Sequence, residues 1–197
     1  DIDKFIVGDR ETYKTVLEYA RNFETELKSK LILYDKKADM FRYYGLDADV
    51  STLLSNNVAM KSGAYLVIDK TEALTVIDVN TGGFVGDADM EKTAFDTNIE
   101  AAAEIARQLR LRNIAGIIVV DFIDMKEEEH KKKLLEVLSE KLAADREKCA
   151  VIGMSPLGLV EITRKKKRRE SASSLVQSCP YCQGTGTIQS NDYVVMR

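Results

Sequence analysis

Two apolar runs, each interrupted by one aspartate, constrain this chain more than any other feature of its sequence. Asp78 lies inside residues 74–80, and Asp121 lies inside residues 117–123. The length and β-branched content of both runs predict buried strands. A carboxylate inside a buried strand is costly unless a partner neutralises it. Neither run contains a Lys or Arg, so the sequence favours a metal ion held between the two aspartates.

A helical segment rich in alanine lies between the two runs. Thr97 and Glu100 have the spacing of a capping box, which predicts that this helix begins at residue 97 and continues to about residue 112. A strand, a crossover helix and a second strand predict a right-handed parallel βαβ unit. The predicted inward stripe of the helix consists of Ile99, Ala102, Ala103, Ala106 and Leu109.

Asp78 and Asp121 would converge if their strands are neighbours, because adjacent strands lie about 4.8 Å apart. Their carboxylates could then hold one Mg²⁺, with water as the remaining ligands, and the ion could polarise a phosphodiester and activate water. Asn80 shares a strand face with Asp78 and could orient a water or a phosphate. The alternative is that each aspartate ends a strand, caps a turn or pairs with a distant basic side chain.

The remaining pattern predicts an α/β fold with a mixed sheet flanked by helices. Residues 64–68 and 74–80 have the pattern of a β-hairpin. Further helices are predicted at 11–27, 49–56 and 127–145, and further short strands at 31–34, 151–154 and 159–163.

Cys179 and Cys182 form a Cys-Pro-Tyr-Cys motif followed by Gly184 and Gly186, which predicts a C-terminal zinc-knuckle extension. A structural Zn²⁺ takes four ligands, and this motif supplies two. The shortage suggests that two chains each donate a cysteine pair to one zinc ion, which would join a homo-oligomer. A redox pair and the remnant of a larger zinc domain are the alternatives.

The candidate RNA-binding residues are basic side chains on the crossover helix and in the cationic run 164–169. Such a run can neutralise phosphates, although a solvated charged surface explains it equally well. The formal net charge of −3 means that any nucleic-acid surface is local. The candidates are Arg107, Arg110, Arg112, Arg164, Lys165 and Lys166.

Composition excludes several other function classes. The single histidine, His130, lies on a charged helix face where a solvated side chain is expected, so Ser/His/Asp catalysis has no support. No run approaches the ~20 apolar residues of a membrane helix, and no integral membrane contact is expected. Three cysteines are too few for a disulfide framework, which favours a reducing compartment such as the cytoplasm.

Residues 63–186 closely resemble the catalytic half of the ribonuclease E/G family. The matching segments include 68–80, 97–102, 105–112, 121–125, 158–164 and 179–186. The resemblance implies an α/β DNase I-like catalytic subdomain at 57–170 and a zinc-link knuckle at 171–187. It also implies part of a ribonuclease H-like subdomain at 1–56, and a polar tail is left at 188–197.

The resemblance further implies a Mg²⁺-dependent endoribonuclease that cuts single-stranded, AU-rich RNA in RNA processing and decay. In the family, the residues matching Asp78 and Asp121 hold magnesium, and the residue matching Asn80 assists. Those matching Cys179 and Cys182 form half of a zinc link between subunits. The family's oligonucleotide-binding barrel, its pocket for the RNA 5′-monophosphate and its C-terminal small domain have no counterpart in this sequence, so weak activity is expected.

Two alternatives to the nuclease remain from the sequence. One is a zinc-knuckle assembly module without chemistry, similar to the Cys-x-x-Cys-x-Gly-x-Gly repeats of zinc-containing chaperones. The other is a basic RNA-binding scaffold whose acidic pair is structural. Substitution of Asp78 or Asp121 discriminates both from the nuclease, because only the nuclease needs those carboxylates for activity.

Overall fold

The structure of the chain is a computed structural model. The chain divides into two compact units, residues 1–51 and residues 52–197. The structure describes residues 2–83, 90–167, 170–171, 175–177, 179–184, 186–188 and 190.

The described part of the first unit contains two short parallel strands and three helices, and a fourth helix crosses its boundary with the second unit. Strands β1 (Phe5–Val7) and β2 (Leu31–Leu33) pair in parallel. The helices are α1 (Arg10–Phe23), α2 (Thr25–Lys30) and α3 (Met40–Tyr43). The predicted helix 11–27 is therefore divided at Glu24, whose backbone (φ −144°, ψ 79°) is not helical. Helix α4 (Asp47–Leu54) follows.

The second unit is built on a mixed sheet, which confirms the predicted fold class. Within the described residues the strand order is β3-β4-β5-β6-β8-β7, and β5 and β6 are the parallel pair. Helix α5 connects these two strands, as the sequence predicted. The elements are β3 (Asn57–Ala59), β4 (Tyr65–Lys70), β5 (Leu74–Asn80), α5 (Met90–Arg112), β6 (Gly116–Asp121), α6 (Glu128–Ala143), β7 (Cys149–Met154) and β8 (Leu159–Arg164).

The sheet of the second unit packs one face against α5 and α6. Ile77 and Val79 of β5 lie in the core with the inward side chains of both helices. The alternate residues of the strands lie on the opposite face, where Ile117 is 53% exposed. The prediction that residues 74–80 and 117–123 are buried on both faces was therefore wrong for the second face. The apolar side chains on both faces of the two runs suggested full burial, but among the described residues helices cover only one face.

Helix α5 begins seven residues earlier than the capping-box spacing predicted. It starts at Met90, so Thr97 and Glu100 lie inside it and do not cap it. Glu100 instead accepts hydrogen bonds from the backbone N–H groups of Lys61 (2.8 Å) and Ser62 (3.3 Å). The motif was misleading because its carboxylate binds a turn about forty residues away in sequence.

Candidate active site

The two aspartates of the apolar runs lie side by side on the open face of the sheet. Asp78 of β5 is the register partner of Asp121 of β6 across the parallel ladder. Asp121 is the last residue of its strand, and Asp78 is two residues from the end of its own. Both side chains are exposed. The carboxyl ends of adjacent parallel strands, where ligands collect in open α/β sheets, therefore carry a pair of carboxylates.

Asn80 completes this cluster. Its Nδ2 donates a hydrogen bond of 2.8 Å to Oδ2 of Asp78. The bond limits the rotation of the Asp78 carboxylate and leaves its other oxygen, Oδ1, for another partner. The half-buried Asn80 is held in place because it pairs with Tyr65 in the antiparallel ladder of β4 and β5.

Among the described residues, no basic side chain neutralises the charge of the acidic pair. In the described parts of the chain, neither Asp78 nor Asp121 forms an ion pair with a basic side chain. The carboxylates remain in water, so burial imposes no penalty on them. Two hard oxygen donors from adjacent strands, open to solvent, fit a Mg²⁺ ion that keeps several water ligands.

The segment that follows Asp121 is attached to α5 by side chains that the sequence reasoning missed. Asn98 is fully buried, and it binds both backbone groups of Ile123. Glu91 accepts hydrogen bonds from the backbone N–H groups of Lys126 (2.9 Å) and Glu127 (3.2 Å). The available signal in the sequence was that Asn98 lies one helical turn before Ala102 of the apolar stripe, because an asparagine buried there is unfavourable unless its amide finds a partner.

The backbone at Gly82, two residues after Asn80, is also closely packed. Gly82 has φ +66°, and a Cβ at this position would lie 2.2 Å from the carbonyl oxygen of Gly63. Only glycine fits both the left-handed backbone and this contact. The turn that contains Gly63 is the one that Glu100 of α5 holds, so α5 supports the chain beyond both strands of the acidic pair.

The single histidine is part of this support, and the expectation of a solvated side chain was wrong. His130 Nδ1 lies 2.9 Å from Oε1 of Glu91, and its ring stacks on Phe95 with centroids 4.3 Å apart. The pKa of Glu91 is lowered to about 2, mainly by the hydrogen bond from the backbone of Lys126 and next by the hydrogen bond from His130. Because an ionised carboxylate only accepts, Nδ1 of His130 carries the proton.

The cysteine motif forms a turn with one exposed and one half-buried thiol, Cys179 and Cys182. Positive φ angles at Gln183 and Gly184 reverse the chain. Hydrogen bonds from backbone N–H groups lower the pKa of the Cys182 thiol; the bond from Gly184 has the largest effect and that from Gly186 the next largest. A lowered pKa favours the thiolate, which is the form that binds zinc. No set of three or more His, Cys, Asp or Glu side chains is placed to hold a metal among the residues that the structure describes.

The candidate RNA-binding residues lie in different environments. Arg112 and Arg164 are buried, and their guanidinium groups bind protein oxygens. Arg107 pairs with Glu104, and Arg110 donates to the carbonyl of Lys141. Lys165 and Lys166 are exposed. The hydrogen bond described for the acidic pair comes from Asn80 and not from one of these six side chains.

The site is thus an exposed carboxylate pair at the ends of adjacent parallel strands of a two-layer α/β unit, where it could hold a divalent cation. The comparison with known proteins identifies the class more closely. The Ribonuclease E/G family matches residues 1–167. The chain belongs to this family.

The similar proteins are ribonucleases of both kinds. The chain is 44% identical to Ribonuclease G of Salmonella typhimurium (strain SL1344) over 199 residues, which cover 100% of this chain and 41% of that protein. Ribonuclease G of Escherichia coli (strain K12) is also 44% identical, with the same coverage. Ribonuclease E of Nostoc sp. (strain PCC 7120 / SAG 25.82 / UTEX 2576) is 40% identical over 189 residues, covering 94% of this chain and 28% of that protein. The chain thus spans about two fifths of the Ribonuclease G relatives.

Proposed function

We propose that this chain is the catalytic part of a Mg²⁺-dependent endoribonuclease that hydrolyses single-stranded, AU-rich RNA. The observation that carries the proposal is the register pairing of Asp78 with Asp121 at the carboxyl ends of β5 and β6. Membership of the Ribonuclease E/G family supports RNA as the substrate. Two exposed carboxylates without an ion-pair partner among the described residues are the expected protein contribution to a site that acts on a phosphodiester through a hard cation.

Each residue of the cluster has a defined task in this proposal. Asp78 and Asp121 hold the ion, and the amide of Asn80 fixes the orientation of Asp78 through the 2.8 Å hydrogen bond. Bound Mg²⁺ supplies Lewis-acid polarisation of the phosphodiester and a more acidic water ligand. The open face of the sheet leaves the carboxylates accessible to an extended RNA strand.

RNA contact is assigned to the exposed basic residues. Lys165 and Lys166 follow β8 directly, and both are exposed. Phosphate contacts by these lysines would give salt-sensitive affinity without sequence preference. Arg107 and Arg110 remain secondary candidates, whereas the protein contacts of Arg112 and Arg164 favour a structural role.

The proposed location is the cytoplasm, where RNA processing and decay occur and where thiols stay reduced. The structure describes all three cysteines, and none of them forms a disulfide. Across the described residues, none of the helices combines the length and the apolar character that spanning a membrane requires.

Substitution of the acidic pair tests the nuclease. We expect Asp78→Asn and Asp121→Asn each to lower Mg²⁺-dependent cleavage of a fluorogenic AU-rich oligoribonucleotide by at least about 10²-fold, the effect of losing one preorganised electrostatic contact. Binding of Mn²⁺, followed by electron paramagnetic resonance, should weaken in parallel.

Asp69→Asn is the matched control, because Asp69 is an exposed aspartate of the neighbouring strand β4, where it is paired with Val76. Its cleavage rate should equal that of the unsubstituted protein. Cleavage that persists in both Asp78→Asn and Asp121→Asn would rule out the nuclease and leave an assembly or RNA-binding role without catalysis.

We also propose that Cys179 and Cys182 supply half of a zinc site shared by two chains. The lowered pKa of Cys182 supports this, because zinc binds the thiolate. The purified protein should contain about half a zinc ion per chain and should be dimeric by light scattering. Cys182→Ser should lose the zinc and become monomeric, whereas Cys149→Ser in β7 should keep both. One zinc per monomer, or a dimer that survives Cys182→Ser, would contradict the shared site.

A further inference from the structure

We propose that Asn98 is a positioning residue for the metal site: by holding the backbone of Ile123, it fixes the direction in which Asp121 presents its carboxylate. This inference rests on the proposed function, in which Asp121 holds the ion. Asn98 itself does not reach the reacting atoms, so its role is exerted through the backbone.

The contact is a two-point contact. Nδ2 of Asn98 donates to the carbonyl oxygen of Ile123 at 2.8 Å, and Oδ1 accepts from the N–H of Ile123 at 3.0 Å. The amide thus reproduces the pair of hydrogen bonds that a neighbouring strand would give. Asn98 is 0% exposed, so water cannot replace either bond.

The need for this contact follows from where β6 ends. The last residue pair in the ladders of β6 places Asp121 opposite Asp78 on one side and Leu159 on the other. Beyond Asp121 the sheet no longer fixes the backbone. Phe122 enters the core, and the next residue, Ile123, is the one that Asn98 binds. The proposed ligand is therefore held by the ladder before it and by Asn98 two residues after it.

A second side chain of α5 fixes the other end of the same segment. Glu91 lies about two helical turns before Asn98, on the same face of the helix. It accepts from the backbone N–H groups of Lys126 and Glu127, and His130 reinforces it. The segment 122–127 is thus attached to one rigid helix at both ends, and Asn98 is the attachment nearer to Asp121.

A purely structural role would lower stability without a specific effect on the metal, so the test compares Mn²⁺ affinity with stability. Asn98→Ala should weaken Mn²⁺ binding, measured by electron paramagnetic resonance without RNA, by about 10- to 100-fold, as for loss of an outer contact to a ligand. Asn98→Ser keeps a small, uncharged polar group at this position, and it should give an intermediate affinity. It is the second variant if Asn98→Ala does not fold.

Gln108→Ala is the matched control. Gln108 is also a fully buried polar residue of α5, but it binds Glu104 and Arg112. Its substitution should lower the melting temperature and leave Mn²⁺ affinity unchanged. In an Asp121→Asn background, Asn98→Ala should have no further effect on Mn²⁺ binding, because the two act on the same ligand.

The outcomes separate the inference from the proposed function. If the unsubstituted protein binds no Mn²⁺ through Asp78 and Asp121, both fail. If it binds Mn²⁺ and folded Asn98 variants bind it equally well, the positioning role is wrong and the metal site stands. Equal weakening by Asn98→Ala and Gln108→Ala would likewise reduce Asn98 to a structural residue.

Discussion

Charged side chains are exposed at one end of the parallel pair β5–β6 and buried at the other. At the carboxyl end, Asp78 and Asp121 are exposed, and the side chain of Asp78 accepts a hydrogen bond from the amide of Asn80. At the amino end, the Arg164 side chain is 4% exposed and its Nε donates to Oδ2 of Asp145 at 2.9 Å. The same guanidinium also donates to Asn113 Oδ1 and to the carbonyl oxygen of Ile114.

Arg112 repeats the pattern of the amino end. It is 8% exposed, and its Nη2 donates to the carbonyl oxygens of Thr52 and Ser55, each at 2.8 Å. Its Nε donates to Oε1 of Gln108, also at 2.8 Å. Burial lowers the pKa of Arg112, but the surrounding oxygens satisfy the guanidinium. Arg112 therefore attaches the end of α5 to the end of α4 and to Ser55, and Arg164 attaches the segment before β6 to Asp145.

The comparison separates charges that hold the fold from charges that can bind a ligand. Burial alone would raise the pKa of Asp145. The hydrogen bonds from Arg164 and from the backbone of Glu147 outweigh burial, so the pKa of Asp145 is lowered. That carboxylate is committed to its partner. The carboxylates at the other end of the strands have no such partner among the described residues.

Breaking the pair at the amino end should give the largest effect on stability. Arg164→Met leaves the nearly inaccessible carboxylate of Asp145 without its cation, which costs about 3–5 kcal/mol. The free energy of unfolding, measured with urea, should fall by this amount. The Mn²⁺ affinity of the folded protein should not change, because the acidic pair lies at the opposite end of the strands.

Lys165→Met is the control for the loss of one positive charge, because Lys165 is the next residue and is exposed. It should change stability by less than about 0.5 kcal/mol. The double variant Arg164→Met with Asp145→Leu should recover much of the lost stability, since no uncompensated charge remains. A loss of Mn²⁺ affinity in folded Arg164→Met would show that the two ends are coupled and would weaken the comparison.

The sequence predicted the elements whose signals are local. The hairpin of β4 and β5 and the parallel unit of β5, α5 and β6 followed from runs of apolar and β-branched residues. These features also place Asp78 beside Asp121, so the geometry of the candidate site was within reach of pattern reasoning.

The remaining features depend on partners distant in sequence, and no local pattern reports them. The sequence predicted Arg164 and Arg112 as RNA-binding residues. In the fold, Arg164 pairs with Asp145, and Arg112 donates to the carbonyl oxygen of Thr52. The exposure of Asp78 depends on which face of the sheet the helices cover. The role of Asn98 depends on Ile123, which lies 25 residues further along the chain.

A smaller effect on stability is expected from Glu91, near the carboxyl end. Backbone N–H groups bind the carboxylate of Glu91, whereas an arginine binds that of Asp145. The pKa of Glu91 is lowered from 4.5 to about 2, so the folded state binds its proton less readily than the unfolded state. The carboxylate therefore stabilises the fold fully above pH 4.5, and this contribution is lost as the pH falls towards 2. Glu91→Gln should be less stable than the unsubstituted protein at neutral pH, with a difference that shrinks on acidification.

Urea denaturation at a series of pH values from neutral to about 2 measures this difference, with the predicted change below the ordinary pKa of 4.5. Glu136→Gln on α6 is the control, because it removes an exposed carboxylate that pairs with Lys133 on the same helix. A difference between Glu91→Gln and the unsubstituted protein that stays constant with pH would mean that the ionised carboxylate is not what binds Lys126 and Glu127. The segment after Asp121 would then depend on Asn98 alone, and the effect of Asn98→Ala on Mn²⁺ binding should be at the upper end of its expected range.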